Sequence, residues 1–197
     1  MPSSPSLVEL SLAAFVERVA GARPASAGGR VAALQGALGA ALTSMAFRHA
    51  AGEGGSAFPA YMEGRADELR ELSRHLLALV DRDAACEAPA SASDGGREQA
   101  ARSALEAPLQ VAETALAGLR LAAVGAPAVA APLASECAAG ADALAAAVRG
   151  GLGLVHANAA FVGEGDWVED RLAVLPVLES EASRLLAEIH GVLEEKE

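Results

Sequence analysis

The chain has 197 residues, 52% of them hydrophobic and only 3% aromatic, with a formal net charge of −11. That apolar content is enough to bury a core and excludes disorder over most of the length, and a single domain spanning 1–197 is expected. Lys196 is the only lysine and no basic stripe exists to neutralise phosphates, so nucleic acid is not an expected partner.

A core of Ala, Leu and Val packs tightly only when backbones come close, which favours helix on helix, because Ala is the best helix former and is depleted in strands. Ser6-Leu-Val-Glu9 has the form of a capping box and predicts a first helix running from there to about Gly21. A second helix is entered at Gly28 and Gly29, runs to about Ala51 and stops in Gly52-Glu-Gly-Gly-Ser56. Its stretch 31–47 carries no charge and, at about 17 residues, touches the lower limit of a membrane span. Gln35, Thr43 and Ser44 within it favour a buried core helix, and no membrane partner is expected.

The third helix is expected over 58–87. Leu69, Leu72, Leu76 and Leu79 recur at helical spacing, and the next position on that stripe is Asp83. A carboxylate ending a leucine stripe is raised in pKa by desolvation, which is how a general acid or base is made, or it serves as a structural hydrogen-bond acceptor. Asp81 points about 200° round the helix from it, toward solvent, an arginine or another chain or helix. Pro89-Ala-Ser-Ala-Ser-Asp-Gly-Gly96 reads as a surface loop, and a fourth helix from about Arg97 contains Pro108, where a kink or break is expected.

Pro127 and Pro132 mark an irregular crossing. A fifth helix is predicted from Ser135 as N-cap, with Glu136 in the first turn, to about Val162. Its stripe Leu144, Val148, Gly151, Val155 leads to Asn158, whose amide orients a substrate ring or clamps two helices. A last helix over 166–195 is interrupted at Pro176. No alternating strand pattern competes, so the fold class is all-α, a bundle of about six helices, some kinked at prolines.

Cys86 and Cys137 lie far apart with no CxxC pairing and no leader segment opens the chain, so reduced cysteines and a cytoplasmic location are expected. His49, His75, His156 and His190 have no metal-ligand spacing, no phosphate-cradling glycine loop follows a strand, and no metal is expected.

Taken in order, several segments resemble the cyclodeaminase/cyclohydrolase family of folate enzymes. Ser26-Ala-Gly-Gly-Arg-Val-Ala-Ala33 stands in place of that family's Pro-Gly-Gly-Gly-Ser-Val-Ala-Ala turn, and the small-residue helix 34–45 follows it. Leu79-Val-Asp-Arg-Asp-Ala84 is similar to the family's Leu-Val-Asp-x-Asp-Ala, and Ala107-Pro-Leu-Gln-Val-Ala-Glu113 to its Val-Pro-Leu-x-Val-Ala-Glu. Ser135-Glu136 takes the place of Ser-Asp, and Asn158 the second asparagine of Asn-Val-x-x-Asn, with Leu154 at the first. The chain departs from the family at Ala27, Arg30, Glu136 and Leu154, in a shorter loop after Asp83, and in 125–128, which lacks the family's asparagine.

The resemblance implies a tetrahydrofolate substrate carrying a one-carbon unit, with no cofactor beyond it, and a homodimer. It places Asp83 and Glu136 in catalysis and Gly28, Gly29, Arg30, Ser135 and Asn158 at the substrate. Arg30 then binds the substrate's carboxylate tail or fills the space of the pterin. The other reading of the same departures is a noncatalytic helical domain kept for folate binding, dimerisation or partner binding.

Overall fold

The computed structural model describes residues 6–21, 27–52, 57–82, 94–162 and 165–196. Within them the chain forms seven α-helices: α1 Leu12–Ala20, α2 Ala27–Gly52, α3 Pro59–Arg82, α4 Asp94–Gly125, α5 Ala134–Val162, α6 Asp166–Ala173 and α7 Leu175–Glu194. Two short 3₁₀ turns, Ala126–Ala128 and Ala131–Leu133, each with a proline near the start, join α4 to α5. No strand occurs among the described residues, and the fold is an all-α bundle.

The glycines and alanines of α2 explain its central place. It packs against α3 on one side and α5 on the other, and α4 packs on α5. Ala33, Ala37 and Ala40 are fully or almost fully buried. A Cβ added to Gly39 would lie 2.6 Å from the carbonyl oxygen of Gly140, and one on Gly140 would lie 2.5 Å from Thr43 Oγ1. The α2 and α5 backbones therefore touch with no side chain between them, a contact only glycine permits. Between α2 and α3 the register is set by hydroxyls: Ser44 Oγ donates to the Ala66 carbonyl at 2.7 Å and Ser73 Oγ to the Ala37 carbonyl at 2.8 Å. Both bonds are buried, so a slip of either helix would leave polar groups without partners, at about 1–3 kcal/mol each.

Four expectations are corrected. Ser6 does not cap α1, whose N-cap is Ser11, with the Ala14 N–H donating to its hydroxyl at 3.2 Å. Instead Ser6 Oγ and the Leu7 N–H both donate to the carboxylate of Asp81, each at 2.6 Å, because an ionised acceptor outcompetes a capping box. Asp81 thus ties the segment before α1 to the end of α3.

α4 begins at Asp94, inside the expected loop, and continues through Pro108 without a break. Proline removes the donor to the Ala104 carbonyl, and Asn158 Nδ2 replaces it at 2.8 Å. The helix survives because α5 supplies the missing hydrogen bond. α5 begins at Ala134, which puts Ser135 inside its first turn rather than at its cap. The interruption expected at Pro176 is found: the chain breaks at Val174 and resumes with Pro176 in the opening turn of α7, where its missing N–H is harmless.

The expectation that 31–47 is a core helix agrees with its burial in α2. The segment long and apolar enough to cross a membrane is Ala131–Val162, half of whose apolar window is buried against the other helices.

Candidate functional site

Two groups of the expected site residues sit at opposite ends of the α2–α5 pair. At one end, Gly28, Gly29 and Arg30 form the opening turn of α2. The antiparallel α5 brings Leu154 against them: a Cβ on Gly28 would lie 3.2 Å from a Leu154 methyl. Arg30 is half-buried, and its Nε is buried with no hydrogen-bond partner. Asn158, one turn beyond Leu154, donates through its amide nitrogen to the Ala104 carbonyl and so clamps α5 to α4, one of the two roles its stripe leaves open. The pairing of Ser44 with Ala66 and Ser73 with Ala37 runs α3 antiparallel to α2, so α3 delivers Arg82 to this same end. Asp83, next in the chain, lies outside the described residues, as does Cys86. Of the leucines leading to it, Leu69, Leu76 and Leu79 are buried as their spacing predicts, and Leu72 is half-buried.

A cavity of about 360 Å³ opens nearby between the end of α5 and α6, with His156, Gly165, Val168 and Glu169 among its walls. Sequence patterning does not single out His156 or Glu169, because neither breaks an apolar stripe. The ring of Trp167 on α6 has two guanidinium groups over it, Arg102 at 5.2 Å and Arg171 at 5.3 Å from its centre. Among the described residues no group of three or more acidic, histidine or cysteine side chains is arranged to hold a metal ion.

At the other end Ser135 and Glu136 open α5, and the Ser135 hydroxyl donates to Glu136 Oε2 at 2.9 Å. Glu136 lies in the first turn, where the unpaired N–H groups of a helix start favour a carboxylate. From Ser135 to Leu154 the helix climbs about 28 Å at its usual rise, so one chain does not bring Glu136 to Gly28 and Arg30.

Between the two ends lies a surface whose α2 side carries no charge over 31–47 and whose α5 side carries the exposed Asp142 and Arg149. At about 100° per residue, Leu38, Leu42 and Met45 of α2 fall on the same solvent side of the α2–α5 seam as Ala139, Ala146 and Gly153 of α5. All six are exposed or half-buried, Leu38 to 59%.

Residues 11–175 match the family described as formiminotransferase-cyclodeaminase. The chain belongs to the formiminotransferase-cyclodeaminase family. Its fold is that of formiminotetrahydrofolate cyclodeaminase from Thermotoga maritima, with a TM-score of 0.87 and 22% identity, over 95% of this chain and 97% of that one. No curated protein matches the chain in sequence. Within the formiminotransferase-cyclodeaminase family, the expected departure at Leu154 acquires a structural meaning, since its side chain packs on the glycine turn where the resemblance has an amide.

Proposed function

We propose that the chain acts in folate one-carbon metabolism, as a cyclodeaminase or cyclohydrolase on formimidoyl- or methenyl-tetrahydrofolate. The family match over most of the chain carries this reading. Cyclodeamination closes the formimino carbon onto N10 and expels ammonia; cyclohydrolysis adds water to the methenyl bridge. Both pass through a tetrahedral carbon flanked by nitrogens that exchange protons and positive charge, so a carboxylate within hydrogen-bond reach moves the proton and stabilises the cation. Asp83 takes that role, Glu136 is the second carboxylate, and Gly28, Gly29, Arg30, Ser135 and Asn158 contact the folate. No cofactor beyond the folate is required.

The separation of the two groups makes the active unit a homodimer. A two-fold axis lying in the plane of the α2–α5 face and perpendicular to its helices exchanges its ends, and sets Glu136 of each chain beside the Gly28 and Arg30 end of the other. Burying Leu38 and Met45 with the small residues of α5 removes apolar surface from water.

Two observations favour the second reading, a noncatalytic member: Leu154 fills the space over Gly28, and Arg30 is partly buried at that end. Methenyltetrahydrofolate separates the readings. Loss of its absorbance with the purified protein, abolished by Asp83→Asn, is the expected result, and formimino substrate with ammonia detection assigns deaminase or hydrolase. No decay, no ammonia and no folate-dependent thermal shift would leave the noncatalytic domain as the function.

A further inference from the structure

The turn joining α4 to α5 is held internally only by backbone bonds, among them Val129 N–H to the Ala126 carbonyl at 3.1 Å and Leu133 N–H to the Ala130 carbonyl at 2.9 Å, and has no polar side chain of its own to fix it. Residues 125–134 read Gly-Ala-Pro-Ala-Val-Ala-Ala-Pro-Leu-Ala, with no polar side chain and two positions that lack an N–H. Three of its carbonyls, those of Ala126, Pro127 and Val129, converge instead on Lys196 Nζ at 3.1, 2.7 and 2.7 Å. An ammonium carries three donors on one atom, and all three are used here. A guanidinium spreads its donors along a planar fork and does not converge on three carbonyls around a point. In a chain whose other side-chain cations, histidines aside, are all arginine, the one lysine stands where only an ammonium fits.

What the ammonium holds leads directly into α5. The second 3₁₀ turn ends at Leu133, Ala134 starts the helix, and Ser135 and Glu136 follow. Cys137, fully buried under this first turn, lies close enough to Lys196 to feel its charge. We infer that Lys196 is a positioning residue for Ser135 and Glu136: it locks the turn through three carbonyls and thereby fixes the direction in which α5 presents its first carboxylate. The catalytic part of this inference rests on the proposed function; the structural part does not.

The test compares Lys196→Met and Lys196→Arg with the parent, all carrying Cys86→Ser so that Cys137 is the only thiol. Both variants are expected to keep the helical circular dichroism of the parent. Amide exchange over 126–137 should quicken by about tenfold or more in both, with faster alkylation of Cys137, because local opening of that turn no longer breaks three bonds. If the parent turns over methenyltetrahydrofolate, kcat should fall by about tenfold or more with KM within about twofold, since a small misplacement of a catalytic group costs rate rather than binding. Failure of Lys196→Arg to rescue marks geometry, not charge, as the cause. Unchanged exchange and alkylation in Lys196→Met would overturn the inference, as would an unchanged kcat beside a loosened turn. If the parent has no folate activity, the proposed function fails, and exchange and alkylation alone decide whether Lys196 holds the turn.

Discussion

At Pro108 the backbone has no N–H to offer Ala104, and the amide of Asn158 takes over that carbonyl from the neighbouring helix. The two residues should therefore be energetically coupled. Asn158→Ala is expected to cost about 1–3 kcal/mol in urea unfolding, and clearly less in a Pro108→Ala background, where the backbone N–H restored by the substitution donates the bond itself. Equal costs in the two backgrounds would mean that Asn158 does not compensate the proline. Cys137 supplies a second test at this scale. Burial pushes its thiol up from the ordinary 9.0 to about 11, with the Lys196 charge pulling the other way. Between those values the unfolded chain loses a proton that the folded chain keeps, so stability falls as pH rises through that window and is unaffected by this group below it. The loss is about 2–3 kcal/mol across the window, and Cys137→Ala should remove that much of the alkaline slope of the urea midpoint.

At the scale of elements, the glycines divide by what surrounds them. Gly140→Ala places a methyl 2.5 Å from Thr43 Oγ1 and 3.1 Å from the Gly39 carbonyl, so α2 and α5 must part. A loss of about 1–3 kcal/mol is expected. Gly64 in α3 has nothing within 4 Å of its Cβ position, and Gly64→Ala should stabilise by up to about 1 kcal/mol through helix propensity alone. Thermal unfolding of the two variants should move in opposite directions, and a shared direction would contradict the packing described. The helices themselves were legible because Leu69, Leu76 and Leu79 keep the helical period and prolines and glycines bound the segments. Starts were less so. Ser6 looks like a cap until Asp81 takes its hydroxyl, and Pro108 looks like a break until Asn158 mends it, since both depend on partners far away in the sequence. Lys196 was invisible as a structural residue for the same reason: its three acceptors are backbone carbonyls that no side-chain pattern announces.

For the whole molecule, the residues that the sequence brings forward as one site are shared between two ends of a helix pair. Glycine turn, Arg30 and Asn158 stand at one end and Ser135 with Glu136 at the other, along a face whose α2 half carries no charge from 31 to 47. Linear motifs carry no information about this division, because a helix of 29 residues separates its ends by far more than a substrate contact. A two-chain site makes a specific demand on mixed dimers. When Asp83→Asn and Glu136→Gln chains are unfolded together and refolded, half of the dimers combine one of each, and each of these holds one site with both carboxylates intact. Neither variant alone should turn over methenyl- or formimino-tetrahydrofolate, while the mixture should recover about a quarter of the parent rate. A mixture as inactive as its components, from a parent that is active, would contradict a site built across two chains.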